Sequence, residues 1–398
     1  MSETGTRRAR LAESFALERN VAAASGAVFL LGLGEELWKK FLPKYLEALG
    51  AGTLAIGSFG TVKDFFDAIY QYPGGWLADR FGRRSAFLAF LAMASVGYVL
   101  YAVSPWWPIV FLGLAFAMAW QSMASPAIFA VIGDALPKKS RAMGFTLQAI
   151  LRRVPMTIAP ILGGSLIAAV GVRAGVRTGL AVTLALAGAT ALLVRTIDVP
   201  ILRGEHADIR GVWRSFDAVL RRLLVSDIII RTCEGLADVL TIIYVTNVLG
   251  VSVARYGLLV AVQQTTSMLV YVPAAKIADR IGRKPFVVAT FLCFALFPVA
   301  VALSAGFPAL VASFIIGGLR EIGEPSRKAM IVDFAQPHLR ARSVGLYYLI
   351  RGLAITPAAA IGGALYSLAP RAPFLAAGAI GLAGVFVFAA TVEEQYAS

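Results

Sequence analysis

The amino-acid sequence predicts an all-α membrane protein with twelve transmembrane helices in two pseudo-symmetric six-helix bundles. Apolar residues make up 58% and charged residues 15% of the 398 positions, whereas a soluble domain is usually about 45–50% apolar and about 25% charged. The apolar residues come in runs of about 18–25, long enough for a helix to cross a bilayer. These runs lack the alternating pattern of a barrel strand, and motifs of the first half of the chain recur in the second half.

Each long apolar run is interpreted as one helical span, because the backbone of a lipid-exposed segment has to satisfy its own hydrogen bonds. The first six predicted spans are 21–42, 53–76, 85–104, 108–132, 143–169 and 176–195. The second six are 222–248, 255–277, 285–304, 308–332, 343–367 and 373–392. We therefore expect an N-terminal bundle over residues 1–200, a cytoplasmic connector over 201–220 and a C-terminal bundle over 221–398.

The distribution of charge predicts the orientation of the chain. The net charge is +14, and Lys and Arg concentrate in the N-terminal tail and in the loops on its side of the membrane. Because basic loops stay cytoplasmic and an even number of spans puts both ends of the chain on one side, we expect both termini to be cytoplasmic in a plasma (cell inner) membrane. Anionic lipid headgroups then supply the counter-charge, so the expected partner is the bilayer and not nucleic acid. We expect a monomer.

The cysteine and histidine content argues against an enzyme or a metal protein. Cys233 and Cys293 fall in apolar spans, and His206 and His338 fall in predicted loops. This arrangement gives neither a disulfide framework nor the spacing of metal ligands. The sequence also lacks the Gly-x-x-x-x-Gly-Lys-Ser/Thr motif that holds nucleotide phosphates. We therefore expect no catalytic residues, no metal site and no cofactor.

Two segments repeat between the halves. Residues Ala78–Arg84 recur as Ala278–Lys284, and Asp134 recurs as Asp333. Both copies of the longer segment follow an even number of spans, so the two halves have the same orientation in the membrane. Each copy joins two spans by a very short turn, and a glycine at the fifth position of the copy, Gly82 or Gly282, permits a tight bend.

The segment from Gly75 to Arg84 resembles the signature between spans two and three of the major facilitator superfamily, and a degenerate copy in the second half has Ala275 in place of the first glycine. The resemblance covers the whole chain. It implies two bundles that rock around a central cavity, and an ionic gate on the cytoplasmic side that breaks when the halves move. The alternative is that these charges only fix the orientation in the membrane. The predicted gate residues are Gly75, Asp79, Arg80, Gly82, Arg83, Asp134, Asp279, Arg280, Gly282, Arg283 and Asp333.

Charged residues inside the spans indicate a polar interior. Spans three, six, nine and twelve have none in their interiors, whereas spans one, two, five, seven, ten and eleven do. A charge near the bilayer centre costs about 2.5–3.5 kcal/mol on insertion scales, so such residues face the bundle interior or water. The candidates for contact with a solute or a coupling proton are Glu35, Glu36, Asp64, Asp67, Arg152, Arg231, Glu234, Asp238, Arg320, Glu321, Glu324 and Arg351.

The helical register predicts how these charges are arranged. In span seven, Asp227, Arg231, Glu234 and Asp238 share one face. In span ten, the charged residues from Arg320 to Lys328 share one arc if the helix is continuous, and Arg320/Glu324 and Glu324/Lys328 are then i,i+4 pairs. A near-neutral salt-bridge network that only holds the halves together is the alternative to a role in transport.

Two roles follow from the residue types. A carboxyl group removed from water favours its neutral form, so Glu35, Asp67 and Glu234 are candidates to carry a proton. Arginine binds carboxylates and phosphates with two parallel hydrogen bonds, so Arg152, Arg320 and Arg351 are candidates for an anionic or zwitterionic part of a solute.

The predicted function is a secondary active transporter that moves a small polar or amphipathic solute by alternating access, coupled to protons, with the direction of transport open between uptake and export. A lipid or glycolipid flippase on the same fold is one alternative. A membrane receptor that transports nothing is the other.

Overall fold

A computed structural model describes residues 20, 22–124, 141–197, 209–336 and 340–393; some side chains within these ranges, among them those of 141–150, Asp79 and Asp279, are not described. Over these residues the chain is helical at each of the twelve predicted spans. The predicted fold class is confirmed. We number the membrane helices α1 to α12 in chain order.

The N-terminal half contains α1 to α6. Their bounds are 22–36, Lys39–Phe41 and Leu42–Ala48 for α1, Thr53–Phe81 for α2, Arg83–Val103 for α3, Trp107–Met118 with the π-helical Ala119–Met123 for α4, Arg141–Val170 for α5 and Val172–Val194 for α6.

The C-terminal half follows a short connector helix, Ile209–Arg214. The bounds are Ala218–Ile243 with the π-helical Tyr244–Val248 for α7, Val253–Ile281 for α8, Lys284–Leu303 for α9, Phe307–Leu319 and Glu324–Asp333 for α10, Arg340–Ile355 and Ala358–Leu368 for α11, and Ala372–Thr391 for α12.

Seven of the described helices are long and apolar enough to cross a membrane by length and composition. They belong to α3, α5, α6, α8, α9, α11 and α12, and α4 contributes a shorter apolar segment. The remaining helices, α1, α2, α7 and α10, carry many of the charges that the sequence places inside the membrane. Most residues of the candidate site therefore lie on these four helices.

Glycines shape the tight turns between consecutive helices. Gly82 joins α2 to α3 at φ 84°, and Gly282 joins α8 to α9 at φ 114°. These φ values lie in a region that side chains with a Cβ rarely adopt. The two repeated segments therefore form equivalent turns, as their glycines predict.

The helices are organised in the same way in both halves. Helix α3 packs on α6, and α9 packs on α12, so these four helices lie on the outside of their own halves. The halves meet where α2 packs on α11 and α5 packs on α8. The internal repeat relates α2 to α8 and α5 to α11. The two contacts are therefore equivalent, one being the repeat of the other. The interface has the pseudo-symmetry that the sequence repeat predicts.

Glycines also bring the two halves into contact at the end of the bundle where α1 leads into α2 and α7 leads into α8, which we call the far end. A Cβ atom on Gly57 of α2 would collide with the carbonyl oxygen of Ala359 in α11, and one on Gly257 of α8 would collide with that of Pro160 in α5. Backbones approach this closely only through small residues. The far end is closed in this structure.

Helix α10 is interrupted, and the predicted continuous arc of span ten is wrong. Its first segment ends at Leu319, and its second begins at Glu324 with Pro325 in the first turn. Proline lacks the amide hydrogen that would continue the ladder, and it favours the start of a helix. Gly323 in the break donates its amide hydrogen to Thr290 Oγ1 over 2.6 Å.

Candidate functional site

A buried carboxyl group lies inside the N-terminal half. Glu35 of α1 is 8% exposed, and its Oε1 accepts a hydrogen bond from the hydroxyl of Tyr98 in α3. Trp38 packs its ring edge-on against Tyr98, with the ring centroids 5.8 Å apart, and donates from Nε1 to Thr183 Oγ1 over 2.9 Å. Within the described part of the chain, Glu35 forms no ion pair.

Other charges of this half have close partners on the same or a neighbouring helix. Lys63 and Asp64 of α2 form an ion pair of 3.1 Å. Asp67, one turn further, accepts a hydrogen bond from Ser122 of α4 over 2.7 Å. Glu36 lies 3.8 Å from Lys39. The negative charge of Asp67 is thus held by a neutral hydroxyl, as at Glu35, and not by a cation.

The C-terminal half contains a network of buried charges centred on Asp227 of α7. Its Oδ2 accepts hydrogen bonds from Arg327 of α10 over 2.6 Å, from Tyr347 of α11 over 3.1 Å and from Arg351 of α11 over 3.3 Å. The Asp227 side chain is completely buried. A buried carboxylate is stable only when its charge is compensated, and two helices, α10 and α11, supply the donors to Oδ2 here. Among the described residues, Oδ1 accepts no hydrogen bond.

The network continues towards the middle of the bundle through α7 and α10. Arg231 pairs with Glu234 over 2.8 Å and with Glu324 over 2.5 Å. Arg320 pairs with Glu234 over 3.4 Å. Arg231 and Arg320 also lie over the ring of Phe294, at 4.7 Å and 4.9 Å from its centroid. Cations stacked on an aromatic face and paired with carboxylates are well compensated.

The break in α10 changes the pairs that the sequence predicts. Among the described residues, Glu324 pairs with Arg231 and Arg327 and not with Arg320 or Lys328. Lys328 is exposed instead. The interruption turns Arg320 away from the next segment, so its partner comes from α7. The predicted i,i+4 pair of Arg320 with Glu324 is therefore wrong. Glu324 and Lys328 lie in one helical segment and interact electrostatically, without an ion pair among the described residues.

Two charged members of the network are missing from the set of candidates that the sequence supplies. Asp227 and Arg327 form its most buried ion pair, with side chains 0% and 2% exposed. Asp227 lies in register with Arg231, and Arg327 lies near Glu324, so helical spacing was the signal for both. The contribution of Tyr347 has no such signal, because a single tyrosine in an apolar span is usual.

Exposed charged side chains in the middle of α5 and α7 indicate an accessible gap between the two halves at the depth of this network. Asp238 of α7 and Arg152 of α5 are exposed although both lie well inside their helices. Arg153, the next residue, crosses to the other half and forms an ion pair of 3.2 Å with Glu321. It also lies 4.5 Å over the ring of Tyr271. The gap is thus bounded by charged side chains from both halves.

At the far end, a polar cluster supplements the glycine contacts. Asn247 at the end of α7 accepts a hydrogen bond from Lys44 of α1 and donates one to Glu47 over 2.5 Å. Lys44 and Glu47 pair with each other over 2.5 Å. Ala360 of α11 donates its amide hydrogen to Thr61 of α2 over 2.9 Å. These bonds hold the far end of the halves together.

At the opposite end, the structure describes part of the predicted gate. Arg283 at the start of α9 pairs with Asp333 at the end of α10 over 2.5 Å. Arg83 is 5% exposed, whereas Arg80 and Arg280 are exposed. Gly75, Asp79 and Asp279 are described by their backbone alone, and Asp134 lies outside the described residues.

No metal centre is visible in the described ranges, where no group of three or more His, Cys, Asp or Glu side chains is arranged to hold an ion. What the geometry offers is different. It combines paired charges that can exchange partners, two carboxyl groups bonded to neutral hydroxyls, and an accessible charged gap between two bundles.

Comparisons with known proteins agree with this arrangement. A family model described as Major Facilitator Superfamily matches residues 24–236 and 223–397. An uncharacterised MFS-type transporter of Methanocaldococcus jannaschii, MJ1317, is 21% identical over 370 residues, covering 90% of this chain and 91% of that protein. Quinolone resistance protein NorA of Staphylococcus aureus is 27% identical over 135 residues, which are 34% of this chain and 35% of NorA. The crystal structure of a mutant of the nucleoside transporter NupG has a TM-score of 0.79 at 13% identity, covering 94% of this chain and 100% of that one.

Proposed function

Since the chain belongs to the Major Facilitator Superfamily and is thus a secondary transporter, we propose that it moves a small polar or amphipathic solute by alternating access and that protons drive the movement. The lack of a nucleotide motif in the sequence makes an ion gradient the natural source of energy. The membrane-embedded transporter fold is common to the relatives named above.

One observation carries the proposal. The halves are in close contact at the far end, through equivalent helix pairs, while charged side chains bound an accessible gap at the middle of the helices. Gly57 and Gly257 occupy equivalent places in the two contacts. A pseudo-symmetric interface that is closed at one end can be closed at the other by rocking one half against the other. This geometry supports access to the gap from alternating sides.

Protons are proposed to bind at Glu35, with Asp67 as the second site. Ionisable residues inside a membrane commonly form proton relays. Glu35 is buried and bonded to the neutral hydroxyl of Tyr98, so it is able to bind and release a proton without disrupting an ion pair. Glu234, the third candidate from the sequence, is engaged by Arg231 and Arg320 and is better suited to hold the network together.

Ion pairs at the end of the bundle opposite the far end are proposed to form the gate there. Arg283 and Asp333 lie close enough for a strong charge-assisted bond. Their partners by sequence repeat, Arg83 and Asp134, are proposed to act likewise in the N-terminal half. The partial match to NorA, a quinolone resistance protein, makes export the direction to test first.

Transport assays in vesicles test the proposal. The purified protein is reconstituted with a pH-sensitive dye inside the vesicles, and solutes are added one class at a time. We expect proton movement that depends on the solute and on the protein, and that Glu35→Gln abolishes. Absence of solute-dependent proton flux with every class would refute proton coupling, and scrambling of labelled lipids without solute transport would favour a flippase.

A further inference from the structure

The two equivalent interfaces between the halves, α5 with α8 and α2 with α11, differ in the charges that they carry. Glycine contacts fix the equivalence. A Cβ atom on Gly163 of α5 would collide with the carbonyl oxygen of Leu37 in the N-terminal half. In the same way, one on Gly362 of α11 would collide with that of Leu236 in the C-terminal half. Positions at equal distances from these glycines are therefore equivalent, and a change of residue type between them is a difference in chemistry.

The interface of α5 with α8 contains a cation that belongs to the protein. Arg153 lies ten residues before Gly163. Its side chain crosses to the C-terminal half, where it donates a hydrogen bond to Ser267 Oγ of α8 and pairs with Glu321 of α10 over 3.2 Å. The guanidinium also lies 4.5 Å from the centroid of the Tyr271 ring. A hydroxyl, a carboxylate and an aromatic face thus hold one positive charge.

The interface of α2 with α11 has a carboxylate and no cation at these positions. Gly352 of α11 takes the place of Arg153, since each lies ten residues before its interface glycine. Asp67 of α2 takes the place of Ser267, since each lies ten residues after the glycine that contacts the other half at the far end. A side chain has no room at position 352, because a Cβ atom there would lie 2.7 Å from that of Ala68. Position 352 therefore offers Asp67 no counterpart of the guanidinium.

The cations of α2 and α11 that lie near this site in the sequence are engaged elsewhere. Lys63, one turn before Asp67, is bonded to Asp64 over 3.1 Å and acts electrostatically on Asp67 as well, so two carboxylates share one lysine. Arg351 pairs with Asp227. Among the described residues, Asp67 itself forms no ion pair. A charge inside a membrane protein that lacks a partner is costly and commonly functional.

Asp67 faces the gap between the halves. It shares a face of α2 with Gly60, two helical turns earlier, and a Cβ atom on Gly60 would lie 3.0 Å from Cγ1 of Val239 in the other half. The Asp67 side chain is partly exposed. Ser122 of α4 donates a hydrogen bond of 2.7 Å to its Oδ1, and Oδ2 accepts none among the described residues. One oxygen is thus oriented by the protein, and the other is available to a donor in the gap.

The residue types at this site select a cation that has N–H groups. A carboxylate oxygen accepts charge-assisted hydrogen bonds from an ammonium or a guanidinium group. A quaternary ammonium has no N–H and is typically bound by aromatic rings. The residue equivalent to Tyr271 is Gln71, which supplies no ring. A solute anion would be repelled by Asp67.

We propose that Asp67 binds the cationic group of a solute, a primary ammonium or a guanidinium, as Ser267 and Glu321 bind the guanidinium of Arg153 in the equivalent interface. Ser122 is a positioning residue that orients the carboxylate. This inference rests on the proposed transport function and specifies its substrate. A proton and the solute's cation then exclude each other at Asp67, the second proton site proposed above.

Thermal stabilisation of the purified protein by compounds of similar size tests the class of solute, since a bound ligand raises apparent stability. The probes are phenethylamine, phenethylguanidine, phenethyltrimethylammonium, 3-phenylpropionate and 3-phenylpropionamide. We expect the amine and the guanidine to bind best. The other three lack a charged N–H donor and should bind about tenfold more weakly or not at all, the effect of losing a hydrogen bond to a charged group.

Variants test the assignment of residues, with the ratio of amine to amide binding as the readout, because a general loss of stability does not change that ratio. Asp67→Asn should lower it about tenfold or more, and Ser122→Ala about two- to tenfold. Asp67→Glu and Ser122→Thr keep the charge and the hydroxyl and should retain the preference. Glu393→Gln, which removes an exposed carboxylate outside the helices, is the control and should leave the ratio unchanged.

Chemical modification provides a second measurement that needs no variant. A carbodiimide is used to modify the carboxyl groups of the unmutated protein, and peptide mapping gives the rate at each position. We expect phenethylguanidine to slow the modification of Asp67 and not that of Glu393. Equal rates at Asp67 with and without the guanidine would contradict binding there.

The outcomes separate this inference from the proposed function. Equal binding of the quaternary ammonium would overturn the requirement for N–H groups. Strongest binding and transport of carboxylates or neutral solutes would overturn the cation assignment and leave transport intact. An amine preference that persists in Asp67→Asn would overturn the residue assignment. Binding and transport of no class at all would contradict the transport proposal, and the substrate assignment with it.

Discussion

Arg327 Nη1 lies 2.6 Å from Asp227 Oδ2, and both side chains are almost completely buried. This pair joins α10 to α7 and is shared with Arg351 and Tyr347 of α11. Three helices of the C-terminal half are thus fixed to one carboxylate. Removal of one partner from such a pair leaves an uncompensated buried charge, which is far more costly than the pair itself is stabilising.

Arg327→Met is therefore expected to lower the free energy of unfolding by about 3–5 kcal/mol. Lys328→Met, at the next position and exposed, is the matched control and should change it little. The measurement is detergent-induced unfolding of the purified variants. The double variant Asp227→Asn with Arg327→Met should recover part of the loss. Equal stability of the Arg327→Met and Lys328→Met variants would contradict the central role of the pair.

Proton coupling is expected to depend on the contact between Glu35 and Tyr98. Glu35→Gln removes the ionisable group, so solute-dependent proton flux should disappear while exchange of solute across the vesicle membrane persists. Tyr98→Phe removes the hydroxyl that bonds to the carboxyl group and should change the pH dependence of transport without abolishing it. Glu393→Gln is the control. Proton flux that survives Glu35→Gln at full rate would place the coupling site elsewhere.

Close contact at the far end is expected to depend on glycine at two equivalent positions. Gly257→Val and Gly57→Val place side chains against the carbonyl oxygens of Pro160 and Ala359, so the far end should open. Gly188→Val, where a Cβ atom meets nothing within 4 Å, is the control. The readout is the rate at which a maleimide reagent labels Thr61→Cys in a protein without Cys233 and Cys293. If the two valine variants are labelled as slowly as the Gly188→Val control, the glycine contacts are not what closes the far end.

The gate at the other end is expected to respond to charge exchange. Arg283→Glu and Asp333→Arg each place like charges at the 2.5 Å contact and should each slow transport. The double exchange restores opposite charges and should recover part of the initial rate, measured as solute uptake into vesicles. Single variants that transport at the normal rate would show that this pair only fixes orientation.

The sequence predicted the architecture well because membrane helices are encoded locally. Span length follows from bilayer thickness, and the turns at Gly82 and Gly282 follow from the need for positive φ. The internal repeat indicated which helices are equivalent, and the structure adds that α2 meets α11 and α5 meets α8. Those contacts join residues far apart in the chain, which spacing within one helix does not indicate.

The candidate site was predicted less completely. The register of α7 placed Asp227, Arg231 and Glu234 on one face, and they lie in one network. The break after Leu319 in α10 was not anticipated, although Gly323 and Pro325 are typical of a helix interruption. It determined the partners of Arg320 and Glu324. Which charges are engaged and which face the gap depends on contacts between helices, as Arg351 and Arg152 illustrate.

Alternating access is tested most directly by the distance between the halves at the far end. The two native cysteines are first replaced. Spin labels are then attached to Gly52→Cys, just before α2, and to Leu368→Cys, at the end of α11; both positions are exposed. Distances are measured by pulsed electron resonance in lipid nanodiscs, at acidic and alkaline pH, with and without transported solute. We expect a short population that corresponds to the closed far end described here, and a longer one whose share changes with pH and solute. A single short distance under all of these conditions would contradict the account.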